Sequence, residues 1–516
     1  MRPVKFASLV VCVTSLLGAS VLAAVDTRLA DAAMNRDATT VRSLIAQKVD
    51  VTVPGNDGTP ALHWIVRADD VELAQALLKA GADPKQPNRY GVTPMMLASA
   101  NGSAAMIRAL ADAGADVNTP DPAGETPLMA AARIGSVDAV TTLIEKGAPV
   151  DATDAAFKQT ALMVAIRENK ADVVRTLIAR GANVNAKTRV GQAPPWVLPN
   201  SQPGFGHGIG IVRGGSPDRG RRGPTPGGMS PLQYAARDGR LDIVKMLLDA
   251  GADINQREAN DITPLLSAIT NNRPDVARHL IDRGADVKAS DWYGRTPLWA
   301  AVETRNMDVD NGTFENGITR EPYFELIKVL LDKGADPNAR TKEVPPVRTM
   351  FLRTTASLEW VDFTGMTPFL YAARSGDVTV MKLLLQHGAD PSIPTFSGTT
   401  PLMAAAGVNW VFYQTYDEGP ARLMEAVQLC FELGQDINAT NVMGVTALMG
   451  AANRGSDDVI KFLVSKGAKL DVKDAEGRTA LTWAEGVFLA THPARPKPSS
   501  IALIKELMSK PATAQQ

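Results

Sequence analysis

The 516-residue chain carries 54 basic and 55 acidic residues for a formal net charge of −1, with 45% hydrophobic and only 5% aromatic residues. A balance this close to neutral argues against general nucleic-acid binding, which needs a basic footprint. A compact fold of this length would break into several domains, a rule that only a one-dimensional architecture escapes.

At the N-terminus, Arg2 and Lys5 precede an apolar run from Phe6 to Leu22 that ends in Val21-Leu22-Ala23-Ala24. A charged start, a short apolar run and a small-residue exit predict a cleavable signal over residues 1–24, and hence a periplasmic or secreted protein. Cys12 follows Val10-Val11, a poor match to a lipoprotein cleavage box. No later stretch approaches about 18 consecutive apolar residues, so no membrane span is expected after cleavage. Arg2 and Lys5 are two of the 54 basic residues, which leaves 52 against 55 acidic ones, and Cys430 becomes the one thiol. A single thiol allows no internal disulfide. Its place in an apolar helix slot beside Phe431 predicts a buried core thiol rather than a nucleophile or ligand.

From residue 27 to residue 479 a short phrase returns a dozen times, most often 33 residues apart. It reads Thr93-Pro94, Thr126-Pro127-Leu128, Thr160-Ala161-Leu162, Ser230-Pro231-Leu232, Thr263-Pro264-Leu265 and Thr296-Pro297-Leu298, then Thr367-Pro368, Thr400-Pro401-Leu402, Thr446-Ala447-Leu448 and Thr479-Ala480-Leu481, with Thr27 and Pro60 in phase upstream. Gly-Ala-Asp follows about 21 residues later, as at Gly81, Gly114, Gly251, Gly284 and Gly388. Thr before Pro is a helix start, because the hydroxyl accepts a free backbone N–H and Pro suits the first helical position. A small-residue helix, a polar turn such as Ile134-Gly135-Ser136, and a second helix with Val137, Val140, Leu143 and Ile144 at helical spacing follow. Gly147 ends the second helix by taking the left-handed conformation. The doublets Leu77/Leu78, Leu143/Ile144, Leu177/Ile178, Leu247/Leu248, Leu330/Leu331, Leu384/Leu385 and Leu463/Val464 are the expected shared core.

On these motifs the chain resembles the ankyrin repeat, in a secreted or periplasmic protein of bacterial type. The resemblance covers nearly all of the chain after the signal. It implies an all-α solenoid of about twelve helix-turn-helix units joined by hairpin-type fingers, and a partner protein held on the concave surface of fingers and first helices. One departure is marked: the His expected after Thr-Pro-Leu survives only as His63, and Met, Gln, Leu or Trp takes that slot elsewhere. Apolar packing is therefore expected to replace its hydrogen bonding.

Five insertions break the rhythm, at about 192–228 and 340–361 in fingers and at about 306–322, 407–420 and 486–498 between paired helices. The predicted organisation is a signal over 1–24, N-terminal repeats over 25–191, a Gly/Pro/Arg-rich insertion over 192–228, C-terminal repeats over 229–510 and a disordered tail over 511–516. The first insertion has ten Gly and seven Pro among its 37 residues and cannot hold a core of its own. Its alternating glycines lack the strand, helix and Lys-Ser/Thr of a phosphate loop. Asp308-Val309-Asp310-Asn311-Gly312 lacks the glutamate that a calcium loop needs at its twelfth position.

The five histidines form no zinc-spaced pair, and no Gly-x-Ser-x-Gly elbow occurs. No catalytic residue, cofactor-binding residue or metal ligand is assigned, and no cofactor is expected. Rigid aromatics and arginines favour interfaces. The candidate partner-binding residues are accordingly Tyr90, Trp292, Tyr293, Arg348, Phe351, Arg353, Trp360, Phe363 and Phe396. Trp410, Phe412, Tyr413 and Tyr416 form a secondary surface. An enzyme or accessory subunit whose site is closed by the 192–228 and 340–361 insertions is the alternative.

Overall fold

The computed structural model describes residues 26–191, 227–307, 320–343, 364–410, 418–487 and 495–509. Among them it is helical, with short antiparallel bridges and no longer strand. Two compact units divide between Pro122 and Ala123. The first holds the helix pairs Arg28–Met34 with Ala38–Ala46, Ala61–Arg67 with Val71–Lys79, and Pro94–Asn101 with Ala104–Asp112. The second runs from Pro127–Ile134 with Val137–Glu145 through seven further pairs to Ala480–Gly486 with Pro498–Ser509.

The start of most first helices follows from a Thr or Ser; Pro60 and Thr27 make no such cap. Thr126 Oγ accepts the Met129 N–H at 3.3 Å, Thr367 the Leu370 N–H at 3.2 Å and Ser230 the Gln233 N–H at 3.3 Å. Thr479, at the last recurrence, makes no such bond. First helices are buried almost all round, as in Pro127 to Ala132, which is why alanine recurs there. Gly135 then takes φ 91° and Ser136 caps the next helix. After Gly147, at φ 98°, the Ala148 N–H returns to Leu143 O at 2.9 Å and closes the helix end. In the first pair Lys48 adopts the same left-handed turn at φ 56° without the benefit of a glycine.

The second-helix core differs from the expected doublet. Leu77, Leu143, Leu177, Leu247, Leu330, Leu384 and Leu463 are fully covered, but Leu78, Ile144, Ile178, Leu248 and Leu385 are only half-buried. Val137 is half-buried as well. The apolar stripe instead runs through the positions three and four residues before the leucine: Ala139 and Val140 before Leu143, Val173 and Val174 before Leu177, Ile243 and Val244 before Leu247. This spacing keeps one helix face on the neighbouring pairs, whereas the second doublet member turns toward the edge except at Leu331 and Val464, which are buried as expected. Cys430 occupies the leucine position beside Ala426 and Val427, and burial pushes its thiol up to about 12.

The missing histidines are also replaced differently from the expectation. His63 Nε2 reaches Val92 O at 3.0 Å, across to the next finger. Gln233 Nε2 makes the equivalent bond to Ile262 O at 2.6 Å, and Trp299 Nε1 bonds Met366 O at 3.1 Å. Two quite different side chains therefore preserve the donor, whereas Met96, Met129, Met163, Leu266, Met403 and Met449 bury an apolar side chain in that slot, as expected. A further link joins successive Gly-Ala-Asp turns. Asn338 accepts the Asp390 N–H at 2.7 Å and donates to Gly388 O at 3.1 Å, and Asn438 does the same with Lys469 and Gly467 at 2.9 and 3.0 Å. Residues 192–226 lie outside the described set, yet the first helices of the pairs on either side, Ala161–Arg167 and Pro231–Arg237, pack directly on each other.

Candidate functional site

Each finger is shaped by its first side chain. Asp291 accepts the N–H groups of Tyr293 and Arg295 at 3.0 and 2.9 Å, and Asn441 those of Met443 and Val445, both at 3.0 Å. A side-chain oxygen thus supplies the turn that backbone alone would leave open. Gly294 sits at the tip with φ 80°, and a Cβ there would stand 2.7 Å from the Lys342 nitrogen of the next finger. Only glycine allows that approach.

Neighbouring fingers of the second unit are joined by one backbone bond after another. The Arg189 N–H donates to Phe157 O at 2.7 Å, Ala259 to Gly227 O at 3.1 Å and Trp292 to Asn260 O at 2.9 Å. Lys342 then donates to Tyr293 O at 2.8 Å, Phe396 to Thr364 O at 3.0 Å, Val442 to Ser397 O at 2.8 Å and Ala475 to Met443 O at 2.9 Å. This ladder consumes the polar groups of the tips and sets their side chains in register.

Four large apolar side chains are left open on this ladder: Phe157 at 64%, Val442 at 61%, Val190 at 54% and Phe396 at 39% exposure. They fall on two pairs of adjacent fingers, Phe157 and Val190 on one and Phe396 and Val442 on the other, each pair of fingers joined by a backbone bond. Of the residues expected from sequence, Phe396 is open under the stacked guanidinium of Arg340, 4.3 Å from its ring centre. Trp292 is half-buried, with its ring edge-on to Tyr293 at 5.0 Å. Tyr293 is covered, at 6% exposure. Its carbonyl takes both the Lys342 and Glu343 N–H groups, which brings the next finger across it, and Arg295 lies over its ring. Tyr90, in the first unit, is exposed beside the guanidinium of Arg89. Arg348, Phe351, Arg353, Trp360, Phe363, Phe412, Tyr413 and Tyr416 lie outside the described residues.

Phe157, Val190 and Val442 were not among the sequence candidates. The sequence signal is an aromatic before a tip glycine, and Phe157 precedes Lys158, which itself takes the left-handed turn at φ 55°. Val442 holds the same place before Gly444 as Phe396 before Gly398, but it is not aromatic. Behind the tips, first-helix arginines are already matched. Arg133 meets Glu125 at 2.7 Å and Arg237 meets Asp238 at 2.7 Å.

At the far end of the first helices, where paired helices are joined, the chemistry is different. Asp377, fully buried, accepts from Arg305 Nε at 2.8 Å and from Arg320 Nη2 at 3.2 Å, and caps its helix through the Val380 N–H at 3.2 Å. Glu418 joins Arg320 to Arg422. Trp410 is half-buried here, with Arg454 stacked 5.2 Å from its ring centre. The carboxylates of this edge are engaged by guanidinium groups, an arrangement that clasps adjacent pairs together. Among the described residues, no group of three His, Cys, Asp or Glu side chains is placed to hold a metal ion, and no helix is long and apolar enough to cross a membrane.

Comparison with known proteins agrees with this architecture. The family profile described as ankyrin repeats (3 copies) matches residues 29–121, 116–188, 232–341, 320–411 and 421–486. Human palmitoyltransferase ZDHHC17 is 34% identical over 24% of this chain and 24% of its own length. Ankyrin repeat domain-containing protein 63 of Mus musculus is 31% identical over 23% of this chain and 29% of its own. Neurogenic locus notch homolog protein 1 of Xenopus tropicalis is 30% identical over 24% of this chain and 4% of its own. The chain therefore spans under a third of each of these relatives. The solved ankyrin repeat domain of human ASB11 is 23% identical, covering 50% of this chain and 98% of that one with a TM-score of 0.39. That of Bcl-3 is 26% identical, covering 49% and 98% with a TM-score of 0.38.

Proposed function

Because the chain belongs to the ankyrin repeat family, we propose that it is a non-enzymatic scaffold that holds another protein across its fingertips and the adjoining first helices. Ankyrin repeats generally mediate protein–protein interaction. The observation that carries the reading is the finger ladder, which satisfies the polar backbone of the tips and leaves Phe157, Val190, Phe396 and Val442 uncovered. Apolar side chains grouped on a rigid surface suit a partner better than water. Trp292 and Arg340 add rim contacts beside Phe396. The carboxylates at the opposite helix ends are engaged by arginines in a structural clasp, which leaves the fingers as the open surface of this reading.

The reading is tested by capture of a partner with the purified chain, followed by the double substitution Phe396→Ser with Val442→Ser. Retention should fall sharply while the unfolding midpoint stays in place. Retention that survives these changes and Phe157→Ser, but is lost when outward residues of the second helices are changed, would refute a fingertip site. Export remains a proposal that rests on the sequence of residues 1–24. Mass spectrometry should find a mature N-terminus near Ala23 or Ala24, and an intact Met1 in soluble cytosolic material would overturn it.

A further inference from the structure

We propose that the fingertip pair Phe157–Val190 docks an acidic, extended segment of a partner protein. This inference rests on the scaffold reading above and adds the chemistry of the partner. The two residues stand on adjacent fingers, which the Arg189 N–H joins by its bond to Phe157 O. Cations stand on the same and the next finger. Lys158 follows Phe157 directly and is exposed. Arg189 is exposed, and its guanidinium reaches Ala155 O at 2.8 Å. Lys187 stretches to Arg257 O at 3.0 Å, so the positive charge spreads over three successive fingers. A segment crossing those fingers could meet each cation in turn.

The acids present do not balance them. Asp154 turns inward and accepts the N–H groups of Phe157 and Gln159. Asp261 faces Arg257 at 3.7 Å and offsets that residue alone. Lys158, Lys187, Arg189 and Arg257 outnumber Asp154, Glu258 and Asp261 on these three fingers, a local positive excess on a chain whose net charge is −1. The other exposed pair lacks this character, since Arg340, stacked on Phe396, is half-buried. Two open apolar side chains inside a basic rim call for an apolar contact as well as negative charge, which an acidic peptide supplies more fully than a phosphate backbone does.

The full chain is titrated with a fluorescent peptide of alternating Glu and Asp interrupted by one Phe and one Leu. A matched peptide with Lys in place of the acids, and an oligothymidylate, serve as the comparison probes. The acidic probe should bind at least about tenfold more tightly than either, and its affinity should fall as salt rises. Phe157→Ser and Lys158→Glu should each weaken it at least about tenfold, whereas Lys461→Glu, the same charge change on a second helix, should not. Both altered positions are exposed, and circular dichroism verifies that the helices persist. Equal binding of the acidic and lysine probes, tighter binding of the oligothymidylate, indifference to both substitutions, or no binding at all would each overturn the inference. If the acidic probe fails while Phe396→Ser with Val442→Ser still abolishes capture, the scaffold reading stands and this inference alone falls.

Discussion

Replacing Asp377 by alanine should destabilise the second unit more than any surface charge change. Asp377 does three things at once: it neutralises Arg305, shares Arg320 with Glu418, and caps the helix Val378–Gln386 through the Val380 N–H. Removing the cap alone costs about 1 kcal/mol. Removing one partner of a buried ion pair costs about 3–5 kcal/mol, because the remaining charge is left desolvated. The two terms share one carboxylate, and Arg320 keeps Glu418, so they do not add in full. The expected loss is about 3–5 kcal/mol, and Asp377→Asn, which keeps an acceptor, should lose less. Arg422→Ala removes a more exposed partner and should cost below about 1 kcal/mol. Denaturant unfolding measures the total. Hydrogen exchange of the amides in Val378–Gln386 locates it, which matters in a repeat chain that need not unfold in one step. A loss below about 1 kcal/mol for Asp377→Ala would show that Arg305 finds solvent or another acceptor, and the buried clasp would be refuted.

Trp299→Phe removes the Nε1–H bonded to Met366 O, which keeps the Thr341 N–H, together with part of a fully buried ring, and should cost at least about 0.5–1.5 kcal/mol; a neutral result in thermal unfolding would count against the bond. Cys430, with its thiol pushed up to about 12 by burial, should resist alkylation in the native chain and react on unfolding, as peptide mapping would report. Asp474 should contribute an acid-sensitive share of stability. Burial raises its pKa, but the backbone N–H and guanidinium of Arg478 outweigh that and hold it below its usual value. A lowered pKa stabilises above the unfolded value near about 4 and loses that contribution as pH falls through the folded one. Asp474→Asn should therefore flatten the acid limb of the stability profile, and an unchanged limb would count against the assignment.

Tyr293 and Phe157 show how far the site could be read without the fold. Each precedes the residue at a fingertip turn, and by composition Tyr293, beside Trp292 and Gly294, is the stronger interface candidate. In the structure Tyr293 is covered and Phe157 is open. The difference lies in the chain that follows: Lys342 and Glu343 dock on the Tyr293 carbonyl, whereas Phe157 receives a single bond from Arg189. No local signal carries that information. Phe396 and Tyr90 were expected at the surface and stand there.

What the sequence by itself determined is the local grammar of the repeat. Thr126 must cap because its hydroxyl lies three residues from a free N–H, Gly147 must turn left-handed to end a helix, and Cys430 must be core because it stands in a leucine slot. These outcomes depend on a few neighbouring residues and on steric rules that hold in any context. Tertiary structure decided the rest. Gln233 and Trp299 keep the histidine's donor role only because a carbonyl of the next finger lies within reach. Asp377 meets Arg305 only because residues 72 positions apart are stacked at one helix edge. Which leucine of a doublet is buried, and which fingertip faces water, depend on the pairs packed on either side, and that is a property of the stack rather than of any one repeat.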